Sequence, residues 1–229
     1  MRYNKILFDL DNTLIDFDHS EKNALKLNFE EFSIPYKPEY NDIYHEINDK
    51  FWKMLEKGEI ERTKLKTERF EKLFSLLGVT GVDSKAFNDS YLINLGKGRK
   101  LLPNALETVK GAYDLGAKCY LITNGATSVQ TARLKGQEFM KYVSGICISE
   151  SVGANKPSAQ YFKKAEEIFG EKFDDKTLIV GDSLSSDIKG GVNIGVDTCY
   201  VNAKKTPNGS GITPTYEIDE IIKVLDIIK

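Results

Sequence analysis

Five short apolar runs punctuate the chain: Lys5 to Leu10, Ala117 to Thr123, Gly145 to Ser149, Thr177 to Asp182 and Asp197 to Asn202. They are continuous rather than alternating, the pattern of strands covered by helices on both faces. Helical patterns separate most of them, which predicts a parallel α/β sheet. Punctuation agrees: Pro103 stands near the start of a helix over Asn104 to Leu115, with Gly116 after it. Another helix is expected from about Pro157 to Phe169, where Gly170 stops it.

Between Asp16 and Arg99 no strand-like run occurs, charges are dense and apolar residues recur at helical spacing. This predicts an all-helical insert of four helices, at about 19–33, 39–57, 63–77 and 83–95. Asp18 with Glu21 reads as a capping box, Pro38 opens the second helix, and Gly58 and Gly78 end the second and third. The expected division is a core of residues 1–16 and 99–229 with a cap of residues 17–98. Inserted straight after the first strand, the cap would lie above the carboxyl edge of the sheet as a lid.

Three strands end in polar residues: Asp9 and Asp11, then Thr123 and Asn124, then Asp182. Ligands of open α/β sheets bind beyond the carboxyl ends of the strands, so these termini are expected in one crevice. Taken singly, each has a bland reading. An Asp-x-Asp is a turn or a helix cap, Thr123 a strand cap, Lys156 a surface lysine before a helix, and Asp182 an N-cap, a role open also to Ser183 or Ser185. Gly190-Gly191 reads as a helix end or a close helix-sheet contact, because no Gly-x-x-x-x-Gly-Lys-Ser/Thr follows any strand.

Taken in order, these elements resemble the haloacid dehalogenase superfamily: Asp9-x-Asp11-x-Thr13 after the first strand, and Thr123 in Leu-Ile-Thr-Asn-Gly closing the second. Lys156 in Asn-Lys-Pro and Gly181-Asp182 with Asp187 downstream complete the set. The resemblance covers a Rossmann-like core and implies a phosphohydrolase dependent on Mg2+. It implies that Asp9 attacks phosphorus and carries the phosphoryl group, while Asp11 protonates the leaving oxygen and then takes a proton from water. Lys156 and the metal would offset the repulsion between a phosphate dianion and an anionic nucleophile. Thr123 and the amide of Asn124 would bond the phosphoryl oxygens. The implied metal ligands are the side chains of Asp9 and Asp182 and the backbone carbonyl of Asp11, an oxygen-only set of the kind Mg2+ prefers. Asp187 is either a supporting acid near the metal or the partner of Lys156.

The insert is similar to the helical cap of bacterial house-cleaning pyrimidine nucleotidases. Phe51-Trp52 with Gly58 and Ile60, and Leu65 with Arg69-Phe70, carry that similarity. The core adds Thr123-Asn124-Gly125 leading to Ser128 and Gln130, and Ile148-Ser149-Glu150 leading to Gly153. The implied substrates are nucleoside 5'-monophosphates, pyrimidine and noncanonical ones among them. Phe17, Trp52 and Phe70 would offer aromatic faces to a base, and Arg69 a donor; the alternative places these aromatics in the cap's own core and Arg69 in an ion pair. Two other readings remain. One is a phosphatase of sugar phosphates or phosphoglycolate on the same core. The other is a phosphoaspartate switch or binding protein, against which the hydrolytic placement of Asp11 and the large lid both count. A dehalogenase would need neither the acid nor the metal site.

Composition narrows the partners. With 41% hydrophobic and 29% charged residues the chain is an ordinary folded one. Lys and Arg number 32 against 34 acids, a net charge of -2, so no field attracts a nucleic-acid polymer or a membrane surface. A small phosphate ester is the expected partner, and a monomer the default state. Cys119, Cys147 and Cys199 lie in apolar runs without any Cys-x-x-Cys, and the first apolar run follows directly on the N-terminus. A reducing cytoplasm without a secretory leader is therefore expected. Only His19 and His45 are present, both in polar helical stretches suited to the surface, too few for a histidine metal site or a Ser-His-Asp triad.

Overall fold

The computed structural model describes residues 1–229. The chain starts with β1 (Lys5–Phe8) and then forms α1 (Phe17–Glu31), α2 (Tyr40–Glu56), α3 (Arg62–Leu77) and α4 (Ser84–Gly96). It returns through α5 (Ala105–Asp114), β2 (Lys118–Thr123), α6 (Thr127–Leu134), β3 (Val143–Ile148), α7 (Ser149–Val152) and α8 (Ala159–Phe169). The last part holds β4 (Thr177–Gly181), α9 (Lys189–Ile194), β5 (Asp197–Val201), β6 (Tyr216–Ile218) and α10 (Val224–Ile228). A single π-helical turn, Leu184–Ile188, joins β4 to α9.

All six strands are parallel, in the order β3-β2-β1-β4-β5-β6. The chain moves outward to one side through β2 and β3 and to the other through β4 and β5, so β1 and β4 flank the switch point where such sheets bind ligands. Alternation along the strands feeds two cores. Ile6, Phe8, Cys119 and Leu121 face α5 and α10, while Leu7, Tyr120, Ile122 and Ile179 face α8. Gly191 is required by this second layer, since a Cβ there would lie 2.2 Å from Thr198 Cγ2.

The strands stop short of the apolar runs because Asp9, Leu10 and Asp182 already belong to loops. The sixth strand escapes the hydrophobic pattern: three residues long, with Glu217 at its centre, it is an edge strand without a fully apolar run.

The four inserted helices enclose a separate aromatic core. Phe70 stands at its centre with no exposed surface, stacked on Tyr44 at 5.3 Å and meeting Phe87 and Tyr91 edge-on at 4.9 and 5.2 Å. Burial of each such ring contributes about 1.5–3 kcal/mol. Phe70 is therefore core and has no free face for a base. The cap of α1 also differs from the expected box. Asp16 is the N-cap, accepting from His19 N at 3.0 Å, and the helix starts at Phe17 because the backbone N–H groups of Phe17 and Asp18 are tied to Asn12 Oδ1. Asp18 instead accepts from Asn12 Nδ2 and Lys204 Nζ, and Glu21 is buried inside the insert. Pro38 precedes α2 in a turn, its carbonyl accepting from Asn41 N.

Candidate active site

The loop after β1 folds back on itself. Asp9 N continues the ladder by donating to Val180 O at 2.9 Å, and the N–H groups of Leu14 and Ile15 both turn back to Leu10 O. Asn12 makes the reversal at a φ of 60°, a left-handed conformation that asparagine tolerates better than most residues. Thr13 is thereby set beneath Asp182: its hydroxyl accepts from Asp182 N at 3.1 Å and donates to Asp182 Oδ1 at 3.4 Å.

Lys156 reaches the same point from the loop before α8, with only 1% of its surface exposed. Its Nζ donates to Asp9 Oδ1 and Asp187 Oδ1, both at 2.6 Å, and to Ile122 O at 3.2 Å, which uses all three ammonium protons. Asn124 anchors that loop, accepting from Lys156 N at 2.8 Å and donating to Lys156 O at 3.0 Å. Asp187 is buried, and its second oxygen accepts from Ser183 N at 3.1 Å. A Cβ on Gly181 would lie 2.3 Å from Asp187, so only glycine lets this acid come so close to the strand end. Ser183 caps the following turn by accepting from Ser186 N.

Charge at this point is unbalanced. Asp9, Asp182 and Asp187 can bring one carboxylate oxygen each to within 4.8 Å of one another. Burial pushes the Asp9 carboxyl up to about 7 despite the pull of Lys156, with Asp187 and Asp11 adding to the rise. Burial and the charges of Asp9 and Asp187 hold Asp182 well above the usual carboxylate range. Burial alone would lower Lys156, but Asp187 and Asp9 hold it above the ordinary lysine value, so it stays a cation. Carboxylate oxygens in excess, with no sulfur or imidazole among them, suit a hard divalent cation such as Mg2+.

Thr123, the last residue of β2, faces the same space. Its Oγ1 accepts from Gly125 N at 3.0 Å and from Gln130 Nε2 at 3.1 Å, so its own proton is left to donate outward. Gln130 also donates to Asp11 Oδ2 at 2.6 Å, and Arg133 Nη1 donates to Asp11 Oδ1. Arg133 draws no attention in the sequence, and Gln130 does so only within a family segment. Their spacing of three on a helix whose Val129 and Leu134 are buried is the signal that pairs them.

A cavity of about 230 Å3 joins this centre to the insert. Phe17, Trp52 and Arg69 line it, as do Asp9, Asp11, Thr123, Asn124, Lys156, Asp182 and Asp187. Arg69, 3% exposed, makes no ion pair. It donates to the amide oxygens of Asn48 at 2.7 Å and Asn88 at 2.9 Å. His45 and His19 are both exposed, as expected of surface residues; His45 also lines the cavity, its Nδ1 2.7 Å from buried Glu21, and His19 lies beside Asn23. Three contacts unforeseen in the sequence bind the insert to the core. Arg62 lies 5.5 Å from the Trp52 ring and donates to Asn124 O and Ser149 Oγ; Glu56 accepts from Ser185 Oγ at 2.8 Å; and Lys66 pairs with Glu150 at 2.8 Å.

Comparison with known proteins agrees with this geometry. The family model described as haloacid dehalogenase-like hydrolase matches residues 3–195. Pyrimidine 5'-nucleotidase PynA of Streptococcus pneumoniae is 34% identical over 100% of this chain and 96% of its own. Pyrimidine 5'-nucleotidase YjjG of Escherichia coli is 31% identical over 96% of each. Among solved structures, the HAD-hydrolase YfnB of Bacillus subtilis, determined with bound magnesium and described as revealing interdomain movement, superposes with a TM-score of 0.93 at 33% identity over both full chains.

Proposed function

Because this chain belongs to the haloacid dehalogenase-like hydrolases, we propose that it is a Mg2+-dependent 5'-nucleotidase that dephosphorylates pyrimidine nucleoside monophosphates through an aspartyl-phosphate on Asp9. The observation that carries the reading is the convergence of Asp9, Asp11, Thr123, Lys156 and Asp182 on one cavity roofed by helices. The wider class, a phosphatase of this family, follows from the family match and the full-length relatives.

Lys156 fixes Asp9 Oδ1 and so the rotation of the nucleophilic carboxylate. In the first step an Asp9 oxygen bonds to phosphorus, the ester P–O bond breaks, and the proton of the Asp11 carboxyl passes to the leaving oxygen. In the second, water attacks phosphorus, Asp11 takes its proton, and the Asp9–phosphorus bond breaks to release phosphate. Thr123, with its outward proton, and Asn124 N bind the phosphoryl oxygens. The carboxylates of Asp9 and Asp182 and the carbonyl of Asp11 would hold Mg2+, which supplies positive charge against the phosphoryl oxygens. One oxygen of Asp187 accepts from Lys156 Nζ and the other from Ser183 N, which supports a role for it as the orienter of Lys156.

Two full-length relatives named as pyrimidine nucleotidases support the substrate class, together with Trp52, Phe17 and Arg69 on the cavity wall. A cytoplasmic setting belongs to the same reading: the three cysteines are free and buried, and burial pushes the thiols of Cys119 and Cys199 up to about 12. No helix is long and apolar enough to cross a membrane.

Phosphate release with Mg2+ is measured across UMP, dUMP and TMP, purine monophosphates, sugar phosphates and phosphoglycolate. Preference for the pyrimidine nucleotides is expected. Preference for another ester discards the substrate class and keeps the Asp9 chemistry, whereas a phosphorylated Asp9 that persists without turnover favours a switch.

A further inference from the structure

Both oxygens of the Asp11 carboxylate are gripped by one face of α6. Gln130 Nε2 holds Oδ2 and Arg133 Nη1 holds Oδ1. The two residues are about one turn apart, so their side chains leave the helix side by side. Neither has any exposed surface. A guanidinium takes such a place only with its charge matched, and Asp11 is its only salt-bridge partner.

A purely structural ion pair would end there, but Arg133 extends further. Its Nε donates to Leu95 O at 3.2 Å, in the last turn of α4, and its guanidinium carbon lies 5.5 Å from the centre of the Phe17 ring, at the start of α1. Those are the two places where the chain enters and leaves the helical insert. Its Nη2, buried and lacking any partner, belongs to a side chain that lines the catalytic cavity.

We propose that Gln130 and Arg133 are positioning residues for Asp11, and that Arg133 makes the setting of this carboxylate depend on how the helical insert is seated; the proposal rests on the reading of Asp11 as acid and base. A general acid acts only within hydrogen-bond reach of the oxygen it protonates. A carboxylate on a loop beside an open cavity would otherwise sample several rotamers. The grip leaves Asp11 one motion. Oδ1 stays on Arg133 while Oδ2 exchanges the Gln130 amide for the ester oxygen, to which the carboxyl proton passes as the P–O bond breaks. Arg133 keeps all its protons throughout. When the insert swings away, the Leu95 carbonyl and the Phe17 ring leave the guanidinium, and Asp11 loses its anchor.

The test separates phosphoryl transfer from acid-base work. With p-nitrophenyl phosphate the leaving group departs without needing a proton, so the burst of nitrophenolate reads attack by Asp9 alone. Arg133→Lys is expected to lower kcat on an alkyl phosphate monoester by about tenfold or more, with KM and the burst rate each within about twofold of the unaltered protein. In an Asp11→Asn background the same substitution is expected to leave the burst unchanged. A burst lost on Arg133→Lys in either background places Arg133 in phosphate binding or in the fold and overturns the proposal, as does an unchanged kcat. Undiminished alkyl-ester turnover in Asp11→Asn alone removes the reading of Asp11 itself, a separate failure. Should Arg133→Lys not fold, a crystal structure of the unaltered protein with orthovanadate decides. With the insert seated, Asp11 Oδ1 is expected on Arg133 and Oδ2 on the apical oxygen; an Asp11 parted from Arg133 overturns the proposal.

Discussion

Asp187 holds Lys156 from behind: one of its carboxylate oxygens accepts from Nζ at 2.6 Å while the other accepts from Ser183 N, and both side chains are buried. This pair explains how a lysine can serve a second acid, Asp9, without drifting out of line. Asp187→Asn keeps the shape and removes the charge, leaving a buried ammonium with one anionic partner instead of two. Destabilisation by about 3 kcal/mol is expected, at the low end for a broken buried pair because Asp9 remains. Chemical unfolding with a chelator present reads it, and phosphate release is expected to fall by about a hundredfold.

The neighbouring acid behaves in the opposite way. Asp182 has its carboxyl raised by burial and by Asp9, so above that raised value its ionised form costs the fold stability. Asp182→Asn removes this cost and is expected to raise Tm of the metal-free protein by about 3 °C, near 1 kcal/mol for a domain of this size. The unaltered protein is expected to gain stability on adding Mg2+ and the variant to gain little. A variant that melts lower without metal would contradict the account of charge in this site.

Asp9 adds a pH dependence to metal binding. Its carboxyl is pushed up to about 7 by burial, so a proton competes with the cation below that pH. The apparent Mg2+ affinity is expected to fall as pH drops from 8 to 6, by about tenfold per unit at most for one displaced proton. Titration calorimetry in two buffers of different ionisation enthalpy counts the proton released. An affinity flat over this interval would show that Asp9 is already ionised in the metal-free protein.

The positions next to strand ends were legible in the sequence for a physical reason. Asp9, Thr123 and Asp182 each terminate an apolar run, and a parallel sheet places the ends of such runs side by side. The grip of Arg133 and Gln130 on Asp11 was not legible, although Gln130 stood in a family segment, because it depends on which face of α6 meets Asp11, and that is settled by helices that pack from the insert. The same holds for Arg62 and Glu56, whose partners stand on the far side of the cavity. Arg69 shows the limit from the other direction. The sequence leaves it as a donor to a base or a member of an ion pair, yet its two Nη groups donate to asparagine amides, a pairing that no sequence spacing encodes.

Gly125 tests the link between these two groups. A Cβ there would lie 2.2 Å from Gln130 Nε2, the amide nitrogen that touches both Thr123 and Asp11. Gly125→Ala forces that amide aside at a position where the backbone carries no left-handed constraint. The expected loss is about tenfold or more in kcat/KM, consistent with a displaced positioning group, with Tm changed by no more than about 3 °C. Equal activity would mean that Gln130 can relax away from Gly125 and still hold its partners.

His45 carries the last expectation, and it concerns the insert alone. Its ring is raised above the ordinary histidine value by the hydrogen bond to Glu21, with burial opposing. A histidine raised in the fold contributes stability that is complete below its unfolded pKa of about 6.5 and is lost as pH rises through the folded value. Nearly half of the side chain is exposed, so solvent screening keeps the contribution below about 1 kcal/mol. His45→Gln is expected to be less stable than the unaltered protein at pH 6 and nearly equal to it at pH 9, read from urea midpoints at the two values. At the higher pH, buried Glu21 still accepts from Asn48 Nδ2 at 2.7 Å, and Asn48 in turn accepts from Arg69, so the network outlasts the loss of the imidazolium charge. A gap between the two proteins that widens with pH would mean that neutral His45, rather than its cation, is the form the insert selects.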